Sequence, residues 1–174
     1  NTLHNTGFAL DNKFIILEDP RLRDPCAGTT PRDKNEHDEC ARKNWENIKQ
    51  IFQQDYWWPK AVSGLYRPLT TWSYRLNYSL LNNRDNSTGY HWANFLLHWL
   101  AAVLVYFSVL VLMEKLWPAM FTAAIFATHP IVCESVSNII GRADLIATVT
   151  VLTGFLCYVK STTRSGMQRV PWLV

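Results

Sequence analysis

The chain has 174 residues, of which 48% are hydrophobic, 13% aromatic and 18% charged, with a formal net charge of +3. Length alone allows about one domain. A small charge spread over both signs gives no case for nucleic acid, and the aromatic content with only seven Gly excludes disorder and a collagen-like fibre. The charge is unevenly placed, however: residues 1–91 carry 23 of the 31 charged side chains and residues 92–174 carry 8. A polar part is joined to an apolar part, and the eight Trp point toward membrane–water interfaces.

In chain order, residues 8–17 set Asp11 and Asn12 within an apolar stretch, and Glu18-Asp19-Pro20 reads as a turn or helix start. Residues 24–44, rich in charge and Pro, predict a surface loop. Residues 44–52 place Trp45, Ile48, Ile51 and Phe52 at helical spacing, which predicts a short amphipathic helix on the membrane or on a bundle. Asp55-Tyr56-Trp57-Trp58-Pro59 resembles an interfacial belt, and residues 69–81 form a second helical candidate. Two glycosylation triplets follow, at Asn77 and Asn86; Asn77 falls inside the predicted helix, so Asn86 is the stronger acceptor.

From Trp92 to Met113 no side chain is charged, and the run spans roughly 33 Å at about 1.5 Å per residue, enough for a hydrocarbon core of about 30 Å. A second run over 116–133 and a third over 144–159 complete a bundle of about three spans within residues 92–174. Short-loop positive charge, at Lys115, Lys160, Arg164 and Arg169, assigns one side to the cytosol. Residues 1–91 then form a lumenal loop, with His129, Glu134, Arg142 and Asp144 on the same non-cytosolic face. With no initiator Met and an apolar Trp172-Leu173-Val174 end, the chain reads as a piece of a longer membrane protein.

Four Cys admit three pairings if all are oxidised. Cys26 and Cys40 share the predicted loop, so a disulfide between them suits an oxidising lumen, while Cys157 sits within a span as a small apolar residue. No CxxC pair exists and no metal site is predicted.

Tyr66-Arg67-Pro68-Leu69, His91-Trp92-Ala93-Asn94 with His98, His129-Pro130-Ile131 with Glu134, and Gly141-Arg142-Ala143-Asp144 occur here in one order. This ordered set, from Phe8 through Tyr158, resembles the transmembrane and tetratricopeptide-repeat-containing (TMTC) O-mannosyltransferases. These are polytopic glycosyltransferases of the GT-C class. The resemblance implies an α-helical polytopic fold, here an amino-terminal fragment: the first lumenal loop with its short amphipathic helices, then the second to fourth transmembrane helices. It implies an enzyme of the endoplasmic reticulum membrane that moves mannose from dolichyl-phosphate mannose to Ser or Thr hydroxyls of secretory or cell-surface proteins. A bacterial relative would sit in the cytoplasmic membrane. A lipid-linked sugar, an acceptor protein and membrane lipids are the implied partners; the sequence leaves any divalent metal open. The chain departs from the family pattern at Asn12, where a second Asp is usual, and at Val132, where a second His is usual. Both departures favour the rival reading, a catalytically silent membrane scaffold.

Transfer to a hydroxyl asks for a carboxylate to take its proton and for cations or donors to hold the departing phosphate. Asp11 is the candidate base, with a helix cap as its bland alternative. Arg67, His129 and Arg142 are candidate phosphate ligands, because guanidinium grips phosphate with parallel hydrogen bonds. Arg142 is equally readable as an ion-pair partner of Asp144. His91, Asn94 and His98 recur at steps of three and four, which puts them on one helix stripe facing a bundle. With Glu134 and Asp144 they line a donor-phosphate pocket or, in the plainer reading, hydrogen-bond between helices.

Overall fold

A computed structural model describes residues 12–26, 33–84 and 86–162. The described secondary structure is helical throughout, and the chain divides into two compact units, 1–91 and 92–174.

In the first unit a π-helical turn (Lys13–Leu17) leads into a 3-10 turn (Pro20–Leu22), whose entry is capped by Asp19 accepting from the Arg21 N–H at 2.9 Å. Helix α1 runs over Lys34–Gln53. It starts well inside the stretch that the sequence predicts as a loop, and for a local reason. Asp33 caps it by accepting from the Lys34 N–H at 2.6 Å, Glu36 sits in the first turn, and Glu39 pairs with Lys43 at 2.8 Å one turn on. Its first turns are solvated on every side, so the charge that suggests a loop is helix-compatible surface. A disulfide joins Cys26 to Cys40 in α1, with Cα atoms 5.7 Å apart. Closing a loop with a sequence separation of 14, it stabilises the unit by about 3 kcal/mol. Cys26→Ser and Cys40→Ser are each expected to lower the urea midpoint of this unit, and their combination to add nothing further.

Helix α2 (Pro68–Arg75) continues as a π-helical turn to Leu80. The buried set is Ile15, Ile16, Leu22, Ile51, Tyr56, Tyr74 and Tyr90. Tyr56, expected in an interfacial belt, is therefore core: its hydroxyl lies 3.4 Å from that of Tyr74, and its N–H donates to the Leu65 carbonyl at 2.8 Å. Around this core two arginines replace a conventional hydrogen-bond ladder. Arg21, fully buried, pairs with Asp19 at 2.7 Å, donates to the carbonyls of Asp55, Tyr56 and Trp58, and lies 5.3 Å from the Trp58 ring centre. Arg75 donates to the Arg21 and Arg23 carbonyls and to Asn44 Oδ1. Burial pushes the Arg75 guanidinium below its usual range, and Asp24 works in the opposite direction.

The 55–63 loop is organised by one carboxylate. Asp55 accepts from the N–H groups of Trp57 and Ser63 and from the Ser63 hydroxyl, at 2.9, 3.1 and 3.0 Å. The Trp57 N–H above all holds the Asp55 carboxyl below the ordinary carboxylate range. A carboxylate more acidic in the folded state stabilises at pH values above its unfolded value of about 3.9, and that contribution is lost as pH falls through the folded value. Amide exchange at Ser63 is expected to accelerate as pH drops below about 4, beyond its intrinsic pH dependence. Asp55→Asn should remove that excess.

The second unit carries helices α3 (Ser87–Met113, whose first turn belongs to the first unit), α4 (Leu116–Thr128), α5 (Pro130–Ser137) and α6 (Arg142–Thr162). Helix α3, and α6 together with the 3-10 turn Ile139–Gly141 before it, are each long and apolar enough to cross a membrane. The run expected as one span over 116–133 is instead broken: α4 and α5 meet at His129-Pro130 with a bend of 48° and pass the same test only together. Pro130 supplies no N–H and disfavours helical backbone at His129, so the break falls where the ring demands it. Exposed Trp92, Trp99, Leu112, Phe121, Ile125 and Val151 suit a lipid face, while Ala101 and Ala119 are buried.

Candidate functional site

Two polar residues of the second unit, Asn94 and Arg142, form a fully buried pair. Asn94, two turns into α3, is 0% exposed, and Arg142, opening α6, is 1% exposed. Arg142 Nε donates to Asn94 Oδ1 at 2.8 Å. The Asn94 amide nitrogen in turn donates to the Asn138 carbonyl at 2.9 Å, with the Val136 and Ile139 carbonyls at 3.5 Å. One asparagine thus adds a side-chain donor to the carbonyls between α5 and α6 and orients a guanidinium. The turn that delivers Arg142 is built on Gly141, where any Cβ would fall 2.4 Å from the Ser135 carbonyl oxygen. Asn138 helps from the other side, its Oδ1 accepting from the Ile140 N–H at 3.3 Å. Neither Asn138 nor the steric role of Gly141 follows from spacing; an Asn placed before an apolar pair and a Gly is the only hint that the sequence offers.

Asn94→Ala would leave the Arg142 Nε–H and the Asn138 carbonyl without this partner in an apolar interior. The hydrogen bond to the carbonyl is worth about 0.5–1.5 kcal/mol and the one from the charged guanidinium about 1.5–3 kcal/mol. A lowered thermal midpoint of the detergent-solubilised full-length protein is the expected result, and Asn94→Gln, one methylene too long, should not restore it.

His98 lies one turn beyond Asn94 on the same stripe, with Nε2 3.1 Å from the Ala127 carbonyl. His129 is exposed, and its Nδ1 accepts from the Ile131 N–H at 3.2 Å, capping α5. Glu134 is exposed on α5, and Asp144 is exposed in the first turn of α6, where a carboxylate complements the helix dipole. His91, the last residue of the first unit and the fifth of α3, is buried. Arg67, half-buried ahead of α2, places its guanidinium 5.5 Å from the Tyr56 ring centre. Asp11 lies outside the described residues. Its neighbour Asn12 is buried, with an Oδ1 that accepts no hydrogen bond.

Of the two glycosylation triplets, Asn77 is buried and spends its amide on the Gly89 carbonyl at 3.2 Å. Asn86 is exposed, its Oδ1 accepting from the Thr88 N–H at 3.0 Å. Among the described residues no group of three His, Cys, Asp or Glu side chains could hold a metal ion. An open groove of about 480 Å³ between α3 and α4, lined by Trp99, Tyr106, Phe107 and Met120 among others, is almost wholly apolar.

Comparison with known proteins gives one consistent set. Protein O-mannosyl-transferase Tmtc2 of Drosophila melanogaster is 33% identical over 164 residues, which are 92% of this chain and 15% of that protein. Human protein O-mannosyl-transferase TMTC2 is 39% identical over 129 residues, 70% of this chain and 15% of that protein. Mouse protein O-mannosyl-transferase TMTC3 is 36% identical over 118 residues, 66% of this chain and 12% of that protein. The chain thus spans about 15% of the length of the relatives that it matches. No family model and no solved structure matches it.

Proposed function

Because the chain belongs to the TMTC protein O-mannosyl-transferase family, we propose that it forms part of an enzyme of the endoplasmic reticulum membrane. That enzyme moves mannose from dolichyl-phosphate mannose to Ser or Thr hydroxyls of secretory-pathway proteins. The observation that carries the reading is sequence identity of 33–39% with relatives named protein O-mannosyl-transferases. Residues 1–91 are read as the lumenal part and residues 92–174 as the start of the membrane bundle.

The chemistry follows from the residues. The Asp11 carboxylate takes the proton of the acceptor hydroxyl as its oxygen bonds to the anomeric carbon of mannose. The bond from that carbon to the phosphate oxygen breaks, and the electron pair leaves with dolichyl phosphate. Attack by that oxygen in line with the leaving group inverts the anomeric centre and needs one base, whereas retention would ask for a second carboxylate as nucleophile. Arg67, His129 and Arg142 supply the donors that hold the departing phosphate. Supporting this are the permanent charge of Arg142, fixed by Asn94 within an apolar bundle, and the exposed ring of His129 at the bend.

The test is transfer of labelled mannose from dolichyl-phosphate mannose to a Ser/Thr-bearing acceptor by the full-length protein in membranes. Transfer no greater than in membranes without the protein would leave the scaffold reading, which the departures at Asn12 and Val132 favour.

A further inference from the structure

Where α4 and α5 meet at a bend, one buried side chain reaches the end of α4. Helix α4 ends at Thr128, and the last carbonyls of a helix have no partner within it. Pro130 brings no N–H. The N–H of Ile131 goes to His129 Nδ1 at 3.2 Å, and that of Val132 to the His129 carbonyl at 3.1 Å. Ala127, whose carbonyl would take the Ile131 N–H in a continuous helix, is met instead by His98 Nε2 from α3 at 3.1 Å. The His98 ring lies 5.5 Å from that of Phe126 at a tilt of 32°, and the residue is 9% exposed.

These contacts fix both tautomers. A carbonyl only accepts, so His98 donates to Ala127 through Nε2–H, which in the neutral ring is the Nε2 tautomer. His129 has the opposite arrangement: Nδ1 accepts from the backbone, so the neutral ring carries its proton on Nε2. The geometry points to His98 as a positioning residue, which pins the end of α4 through Ala127 and so sets where His129 offers its Nε2–H to the phosphate of the lipid-linked sugar. The inference rests on the reading of His129 as a phosphate ligand.

The experiment uses the full-length protein and separates the two. His98→Leu removes the donor to Ala127; His98→Gln keeps an N–H of similar reach. In mannose transfer, His98→Leu should raise KM for dolichyl-phosphate mannose about fivefold, the size of one hydrogen bond, with kcat within about twofold. His98→Gln should return KM to about the parent value, and His98→Leu added to His129→Gln should cause no further rise, because both act through one contact. A second readout needs no activity: alkylation of Ile131→Cys by a water-soluble maleimide, with Cys133→Ser and Cys157→Ser. His98→Leu should change its rate at least about threefold and His98→Gln restore it. If the leucine variant fails to accumulate, His98→Asn, too short to reach Ala127, takes its place. An unchanged KM together with unchanged alkylation overturns the positioning role. An unchanged KM in His129→Gln alone overturns the phosphate reading of His129, and the alkylation rate then decides for His98.

Discussion

Asp11→Asn in the full-length protein is expected to lower the rate of mannose transfer at saturating donor by about 10²–10⁴-fold, the usual worth of a positioned general base. The amide has the shape of the carboxylate but cannot take a proton, so the loss should appear in kcat and leave KM for the lipid-linked donor nearly unmoved. The neighbouring position deepens the effect. Asn12 is already an amide and is buried, so no second carboxylate stands beside Asp11 in the chain to take over the proton. Transfer measured with labelled dolichyl-phosphate mannose decides the matter; parent-like activity in the variant would remove Asp11 from the mechanism.

The largest stability effect is expected at Asp19. Arg21 is fully buried, and Asp19 holds its guanidinium through Nε at 3.0 Å and the terminal nitrogen at 2.7 Å. Asp19→Ala strands that charge in the core, which costs about 3–5 kcal/mol. The unit should lose most of its stability, read as an early urea transition in the fluorescence of Trp57 and Trp58. The double variant Asp19→Ala with Arg21→Met removes the stranded charge as well and should recover part of the loss, limited by the Asp55, Tyr56 and Trp58 carbonyls then left without Arg21. A double variant as unstable as the single one would show that those carbonyls, rather than the carboxylate, dominate.

What the sequence made legible follows the strength of each local signal. Helices α3 and α6 announce themselves through runs free of internal charge, because lipid demands continuous apolar surface over the length of a span. Asn94 and His98 stand out on α3 because polar groups interrupt that run at helical spacing. The first half of α1 stays hidden for the converse reason: a solvated helix has no apolar stripe to betray it, and its signals, the Asp33 cap and the Glu39–Lys43 pair, are those of any charged segment. Pro130 is visible in the sequence, yet the apolar run on both sides of it reads as one span; only the hydrogen bonds of His129 and His98 reveal a break with its own support. Least legible is Arg21. Asp19-Pro20-Arg21 reads as a turn, and its long-range partners are backbone carbonyls more than thirty residues away, which carry no side-chain signature. Arg142 stood out through the resemblance, but that Asn94 holds it required the three-dimensional contact.

The Cys26–Cys40 disulfide also has a consequence in time. A ribosome adding about 5–20 residues per second needs roughly 3–10 s to travel from Cys40 to Trp92, where the charge-free run begins. Both cysteines and the whole of α1 are therefore made before any of the apolar stretch of α3. Cys26 and Cys40 are thus made ahead of Cys133 and Cys157, and in an oxidising compartment they are the first two of the four that can meet each other.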